Sequence, residues 1–132
     1  MTIWDPLRRK EVARTPEEEV RQWFIGVLHD SLGVPMHMMM SEVGMKYGSK
    51  TLRADIVCWG RDGLPLVCVE CKRPDVELGS GTCAQAARYD KVLGVRYVII
   101  TNGKNVIMFD KGESGFGFIE KAPKWEEMIC QQ

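Results

Sequence analysis

The sequence predicts an α/β domain, one mixed β-sheet flanked by α-helices. Three observations carry that expectation. A capped segment with apolar residues at helical spacing opens the domain, and three strand-like segments follow it, two of them flanking an Asp-Gly turn. A second helical segment then leads into two further strand-like segments. The order helix, three strands, helix, two strands requires a sheet with at least one helix on a face.

Taken in order, residues 1–14 read as a short polar lead. Thr15 suits a helix N-cap, Pro16 the first turn, and Glu17, Glu18 and Glu19 the positive end of a helix; Glu18, three residues after Thr15, completes a capping box. Val20, Trp23 or Phe24, Val27 and Leu28 then recur at helical spacing until Gly33 and Pro35 end the run. Residues 36–43 (MHMMMSEV) read as an apolar strand and residues 44–50 as a Gly-rich polar stretch. Residues 51–59 and 65–72 read as strands around Gly60-Arg61-Asp62-Gly63. Residues 78–82 read as a loop, residues 83–93 as a helix closed by Gly94, and residues 95–101 as a buried strand. Asn102-Gly103 is a turn, residues 105–110 a further strand, and residues 125–129 a short helix.

With 132 residues, 45% hydrophobic and 27% charged, the chain has the profile of one globular domain with a real core. No apolar run reaches the roughly eighteen residues of a membrane helix, and residues 1–10 lack the apolar stretch of a secretory signal. A cytoplasmic protein is the expectation. Eighteen basic and eighteen acidic residues balance, which disfavours a protein that coats nucleic acid by charge alone. Of the five cysteines, Cys68 and Cys71 form a C-x-x-C inside a strand-like run, where residues three apart point to opposite faces. Buried thiols are therefore expected rather than a zinc or redox pair. His29 and His37 lack ligand spacing, the methionines of residues 36–40 suit packing, and the four tryptophans form no stacking pattern.

The chemistry concentrates on the Asp-Gly hairpin. Counted outward from the Asp62–Gly63 bond, paired residue numbers sum to 125, whether the loop has two residues or four, so Asp55 lies opposite Glu70 and Arg53 opposite Lys72. Opposed side chains share a face with Cβ atoms roughly 5 Å apart, and Glu70 and Lys72, two apart on one strand, share it as well. Their neighbours Ala54, Ile56, Val69 and Cys71 read as core. Two carboxylates in such surroundings repel each other and lose hydration. A divalent cation resolves the conflict: Mg2+ accepts one or two carboxylates, keeps waters and phosphate oxygens, activates water and offsets charge at a scissile phosphate. Lys72 would orient or deprotonate that water, or neutralise the developing charge. The plain alternative is a solvated ion cluster in which Lys72 and Arg53 each pair with one acid. The coincidence of spacing, face and apolar flanks favours the site.

At this point a family likeness emerges. Arg53-Ala54-Asp55-Ile56-Val57, followed by Val69-Glu70-Cys71-Lys72-Arg73-Pro74, resembles the D…ExK core of PD-(D/E)xK nucleases. Thr15-Pro16-Glu17-Glu18-Glu19-Val20-Arg21-Gln22, Gln85-Ala86-Ala87-Arg88-Tyr89 and Tyr97-Val98-Ile99-Ile100-Thr101-Asn102-Gly103 are similar to the N-terminal nuclease domain of type I restriction enzyme R subunits. The resemblance implies a restriction-endonuclease-like mixed β-sheet flanked by α-helices over residues 15–132, and a DNA endonuclease using Mg2+, with Mn2+ able to substitute. It implies Asp55 and Glu70 as metal-binding carboxylates, the backbone carbonyl of Cys71 as a further ligand, and Lys72 as the catalytic lysine. Such folds often add a glutamate from the first helix; Glu18 is the choice here, with Glu17 and Glu19 as alternatives and capping as the competing role. Gln85 and Tyr89 match a Q-x-x-x-Y element that supports the site and contacts the substrate backbone; spacing alone says only that they share a helix face.

Two departures stand out. Ala54 replaces the proline of the motif's name, as in many relatives. The R subunits continue into an ATP-driven translocase, whereas residues 1–132 contain no G-x-x-x-x-G-K-[ST] loop, so a separate module or excised domain is expected, with DNA and a separate translocase or specificity subunit as partners. The competing hypothesis is a non-catalytic nucleic-acid or protein interaction module that has kept the fold.

Overall fold

The structure is a computed structural model that describes residues 1–79 and 81–130, excepting the side chains of residues 45, 47, 82, 83, 86 and 90–92. Ser80, in the expected loop, lies outside the described residues, as does the thiol of Cys83.

The expected helix starts where its caps dictate. Helix α1 spans Pro16–Gly26, and Thr15 Oγ1 accepts the Glu18 N–H at 3.1 Å. Only this half of the capping box forms, because the Glu18 carboxylate is drawn away to Arg8 and Gln22. After Gly26 the helix widens into a π-helical turn, Val27–Ser31, which keeps Leu28 fully buried on the stripe begun by Val20 and Phe24.

Residues 1–14 are not a simple lead: β1 (Thr2–Asp5) and β2 (Lys10–Ala13) form an antiparallel hairpin. A 3-10 turn, Met36–Met38, precedes β3 (Met39–Tyr47), which runs through the stretch read as polar linker. Then come β4 (Lys50–Trp59), β5 (Pro65–Cys71), α2 (Thr82–Leu93), β6 (Tyr97–Thr101), β7 (Val106–Gly112), β8 (Gly115–Ile119) and α3 (Trp125–Cys130). Strands β3 to β8 lie in sequence order in one six-stranded sheet. Every neighbouring pair is antiparallel except β5 and β6, which are parallel and connected through α2.

Alternation along the strands sorts the core into two layers. Ile56, Val67, Val69, Ile99 and Met108 face α1 and α3, where they meet Phe24, Ile25, Leu28, Trp125 and Met128. Val57, Cys68, Val98, Ile100 and Phe109 meet Tyr89 of α2 on the other face. Cys68 and Cys71 thus belong to opposite layers. Burial pushes the Cys58 thiol up to about 12 and those of Cys68 and Cys71 upward as well, so these are inert packing thiols.

The β4–β5 hairpin closes through a five-residue loop rather than two or four. Trp59 pairs with Pro65, Gly63 takes a left-handed φ of 77° that favours glycine, and the Asp62 carboxylate accepts the Leu64 N–H. A register slip between Cys58 and Trp59 then restores the expected pairing, Cys58 with Val67, Val57 with Cys68 and Ile56 with Val69. An irregular turn and a bulge offset each other.

Candidate active site

The β4–β5 ladder ends at Ile56–Val69. Asp55 and Glu70 are the next residues on their strands, at a fork where β4 continues against β3 and β5 against β6. One oxygen of Asp55 closes the fork: Oδ2 accepts the Cys71 N–H at 2.7 Å, where a backbone carbonyl would otherwise serve. An extended residue presents its N–H and C=O to the same side, so the Cys71 carbonyl is turned toward Asp55 too. Asp55 Oδ1 accepts from Arg21 Nη2 of α1 at 3.1 Å.

Glu70 is tied to the other helical layer. Its Oε1 accepts the hydroxyl of Tyr89 at 3.1 Å and lies 3.6 Å from Lys72 Nζ. Glu70 and Lys72 therefore share a face, as their spacing demands. The Tyr89 hydroxyl is pushed upward in pKa, first by burial and then by the charge of Glu70, so it stays a donor. Glu70 Oε2 is buried without a hydrogen-bond partner among the described residues. Such an atom is costly to leave unmatched.

The two acids act on one another across the fork. The Asp55 carboxyl is raised above its ordinary value, mainly by burial, against the Cys71 hydrogen bond and Arg21, with the Glu70 charge adding to the rise. Beside Glu70 lies a pocket lined by Thr51, Leu52, Arg53, Gln85, Arg88 and Tyr89. It brings Arg53, Gln85 and Tyr89 together; Lys72, a third of whose side chain is exposed, lines a neighbouring pocket that shares Gln85 and Arg88 with it.

Glu18 approaches this centre indirectly. Its Oε1 binds Arg8 Nη2 at 2.6 Å, its Oε2 binds Gln22 Nε2 at 3.0 Å, and it reaches Asp55 only through Arg21, 3.5 Å from Oε1. Glu17 and Glu19 are exposed and buried at neither end of this network. Among the described residues, no group of three or more His, Cys, Asp or Glu side chains is placed to hold a metal ion.

Four residues here carried no assigned role in the sequence: Asp5, Arg8, Arg21 and Glu42. Arg8 pairs with Asp5, Glu18 and Glu42, and Arg21 with Glu18, Glu42 and Asp55. Glu42 sits between Ser41, paired with Ile56, and Val43, paired with Ala54, so it lies across from Asp55 on the other side of β4. Its φ of 53° is rare for a residue with a side chain, and the ladder breaks there. Arg21 had a readable signal, three residues after Glu18 on one helix face. Glu42 had none without the β3–β4 register.

Comparisons with known proteins identify the family and the fold. The family model described as the type I restriction enzyme R protein N terminus matches residues 16–123. A solved fragment of an HsdR subunit of a type I restriction enzyme from Vibrio vulnificus YJ016 has the same fold, with a TM-score of 0.61 and 21% identity over 87% of this chain and 25% of that one. No curated protein matches. The matched residues include α1 with Glu18 and Arg21, the fork with Asp55, Glu70 and Lys72, and α2 with Gln85 and Tyr89. The chain belongs to the family of type I restriction enzyme R protein N termini.

Proposed function

We propose that the fork is a PD-(D/E)xK nuclease site, a Mg2+-dependent centre that hydrolyses phosphodiester bonds of DNA endonucleolytically. The observation that carries the reading is the pair of partly buried acids at the strand fork, one with an unmatched buried oxygen and a lysine beside it. A cation fits that oxygen: its lone pairs have no donor among the described residues, and the neighbouring acid is raised in pKa mainly by burial, with the Glu70 charge adding to the rise. Asp55 and Glu70 would hold Mg2+, with the Cys71 carbonyl as a neutral third donor, and the cation would supply Lewis-acid stabilisation of charge on the phosphate. Glu18 would contribute through Arg21 or after its release.

The remaining work falls to the chain's own groups. In hydrolysis a water oxygen bonds to phosphorus, the bond to the leaving sugar oxygen breaks, and that oxygen gains a proton. Lys72 Nζ offers N–H donors to the oxygen on which negative charge grows, or holds the attacking water. Tyr89 fixes Glu70 by donating to Oε1, which leaves Oε2 without a hydrogen bond among the described residues and free to take a cation. Arg53, Arg88 and Gln85, lining the adjacent pocket, supply donors for the DNA backbone. In a balanced chain this local basic rim supplies attraction that net charge does not.

Incubation of supercoiled DNA with the protein and Mg2+ tests the reading. Nicked or linear product is expected, falling about a hundredfold or more in Lys72→Ala. A second reading, an interaction module that has kept the fold, is favoured by one observation, that Arg21 already occupies Asp55 Oδ1. Thermal unfolding with Mg2+ or Mn2+ separates the two. A catalytic centre gains stability by mass action and loses the gain in Asp55→Ala and Glu70→Ala; an interaction module gains none.

A further inference from the structure

The ionic cluster behind the fork has an imbalance of charge. Four carboxylates, those of Asp5, Glu18, Glu42 and Asp55, share two guanidiniums, those of Arg8 and Arg21, which leaves a formal charge of −2. The side chains of Asp5, Glu18 and Arg21 are more than nine-tenths buried, so water screens this charge poorly. Arg21 stands at its centre, 3.1 Å from Asp55 Oδ1 and 3.2 Å from Glu42 Oε1.

That position conflicts with cation binding at one atom. Asp55 Oδ2 already gives one lone pair to the Cys71 N–H, so a cation on Asp55 either shares that oxygen or takes Oδ1. The same Oδ1 carries the Arg21 contact. A guanidinium and a divalent ion on one oxygen repel strongly in a poorly screened site. Arg21 is also incompletely satisfied, since its buried Nε has no hydrogen-bond partner among the described residues, and Glu42 and Glu18 offer it other anchors.

We infer that Arg21 is the resident counter-cation of this site: it holds Asp55 and Glu42 together, must withdraw from Asp55 Oδ1 toward Glu42 and Glu18 when a divalent cation binds, and thereby sets the concentration at which the site fills. The inference rests on the proposed cation site. It makes Arg21 a positioning residue whose removal tightens cation binding, whereas a residue that merely shapes the site would loosen it when lost.

The test is thermal unfolding of the full chain against Mn2+ alone, for the parent, Arg21→Gln, Arg21→Lys and Glu70→Gln. Arg21→Gln is expected to unfold at lower temperature without Mn2+ and to show a half-saturating concentration lower by about tenfold or more. Arg21→Lys, which keeps the charge but not the fork of donors, should stay near the parent. If Arg21→Gln does not fold, Arg21→Gln/Glu42→Gln measured against Glu42→Gln carries the same comparison with one charge of each sign removed. A parent that responds through Glu70 while Arg21→Gln binds equally or more weakly overturns this inference alone. If neither protein responds to Mn2+, the cation site fails and the inference falls with it.

Discussion

At the scale of single residues, Glu70 carries the sharpest conflict between stability and chemistry. Tyr89 satisfies one of its oxygens, burial leaves the other unmatched, and its charge adds to the forces that raise the Asp55 carboxyl. Glu70→Gln retains an acceptor for the Tyr89 hydroxyl and removes the repulsion, at the loss of a partly exposed pair with Lys72 that contributes little. The variant should therefore unfold about 3 °C higher than the parent without added cation, roughly 1 kcal/mol, while losing all cation-induced stabilisation. A lower midpoint without cation would show that Glu70 is structural. Lys72 contrasts with it: partly exposed and next to the pocket, it can be removed at little cost to the fold, so its loss should register in turnover rather than in unfolding.

At the scale of elements, the β1–β2 hairpin is tied to the site's helix by one residue. Asp5 is fully buried, accepts the Leu7 N–H and binds Arg8, which in turn holds Glu18 and Glu42. Burial pushes the Asp5 carboxyl up, but the hydrogen bonds from Arg8 and Leu7 outweigh it and leave the group below the ordinary carboxylate value. A carboxyl whose folded pKa is depressed binds its proton more weakly folded than unfolded, so it stabilises the fold above the unfolded value and loses that contribution as pH falls through the folded one. Asp5→Asn should cost about 2 kcal/mol at pH 7, and the gap between parent and variant should narrow as pH falls below about 4; urea unfolding at several pH values measures it. A gap that is constant with pH would assign the loss to packing. How far each element was legible follows from similar local physics. The caps of α1 act within a few residues, so they can be read directly; the Asp-Gly dipeptide marks the turn as well, but not its five-residue length, which depends on the register shift between Cys58 and Trp59. The first hairpin consists of two four-residue strands whose pairing depends on each other rather than on a long alternation. Strand β8, with glycine at two of five positions, has little strand propensity of its own and forms because β7 pairs with it. The polar half of β3 is likewise held in the sheet by β4.

At the scale of the whole molecule, the fork is where the two helical layers meet through the sheet. Helix α1 reaches Asp55 through Arg21, and α2 reaches Glu70 through Tyr89. The acids at the hairpin could be anticipated in part: the period of two and the turn place Asp55 and Glu70 at the next step of their strands, but the ladder stops at Ile56–Val69, so the expected pairs Asp55–Glu70 and Arg53–Lys72 do not form and Arg53 pairs with Gly44 of β3 instead. Glu42 could not be, because its place depends on the β3–β4 register, and Arg21 was legible as a neighbour of Glu18 on one helix face but not as a contact of Asp55. The parallel β5–β6 pair spanned by α2 places the Q-x-x-x-Y face over the strand carrying Glu70. Asn102, nearly fully buried, donates to the Val76 carbonyl and holds the segment after Lys72 against the β6 end. The account therefore stands or falls on whether these layers deliver two acids to a single cation. Anomalous scattering from crystals soaked in Mn2+ tests this most directly. The account predicts one ordered peak at the fork, within coordination distance of both Asp55 Oδ1 and Glu70 Oε2 and with Arg21 turned toward Glu42. A well-ordered fork without a peak at saturating Mn2+, or a peak bound elsewhere, would contradict it.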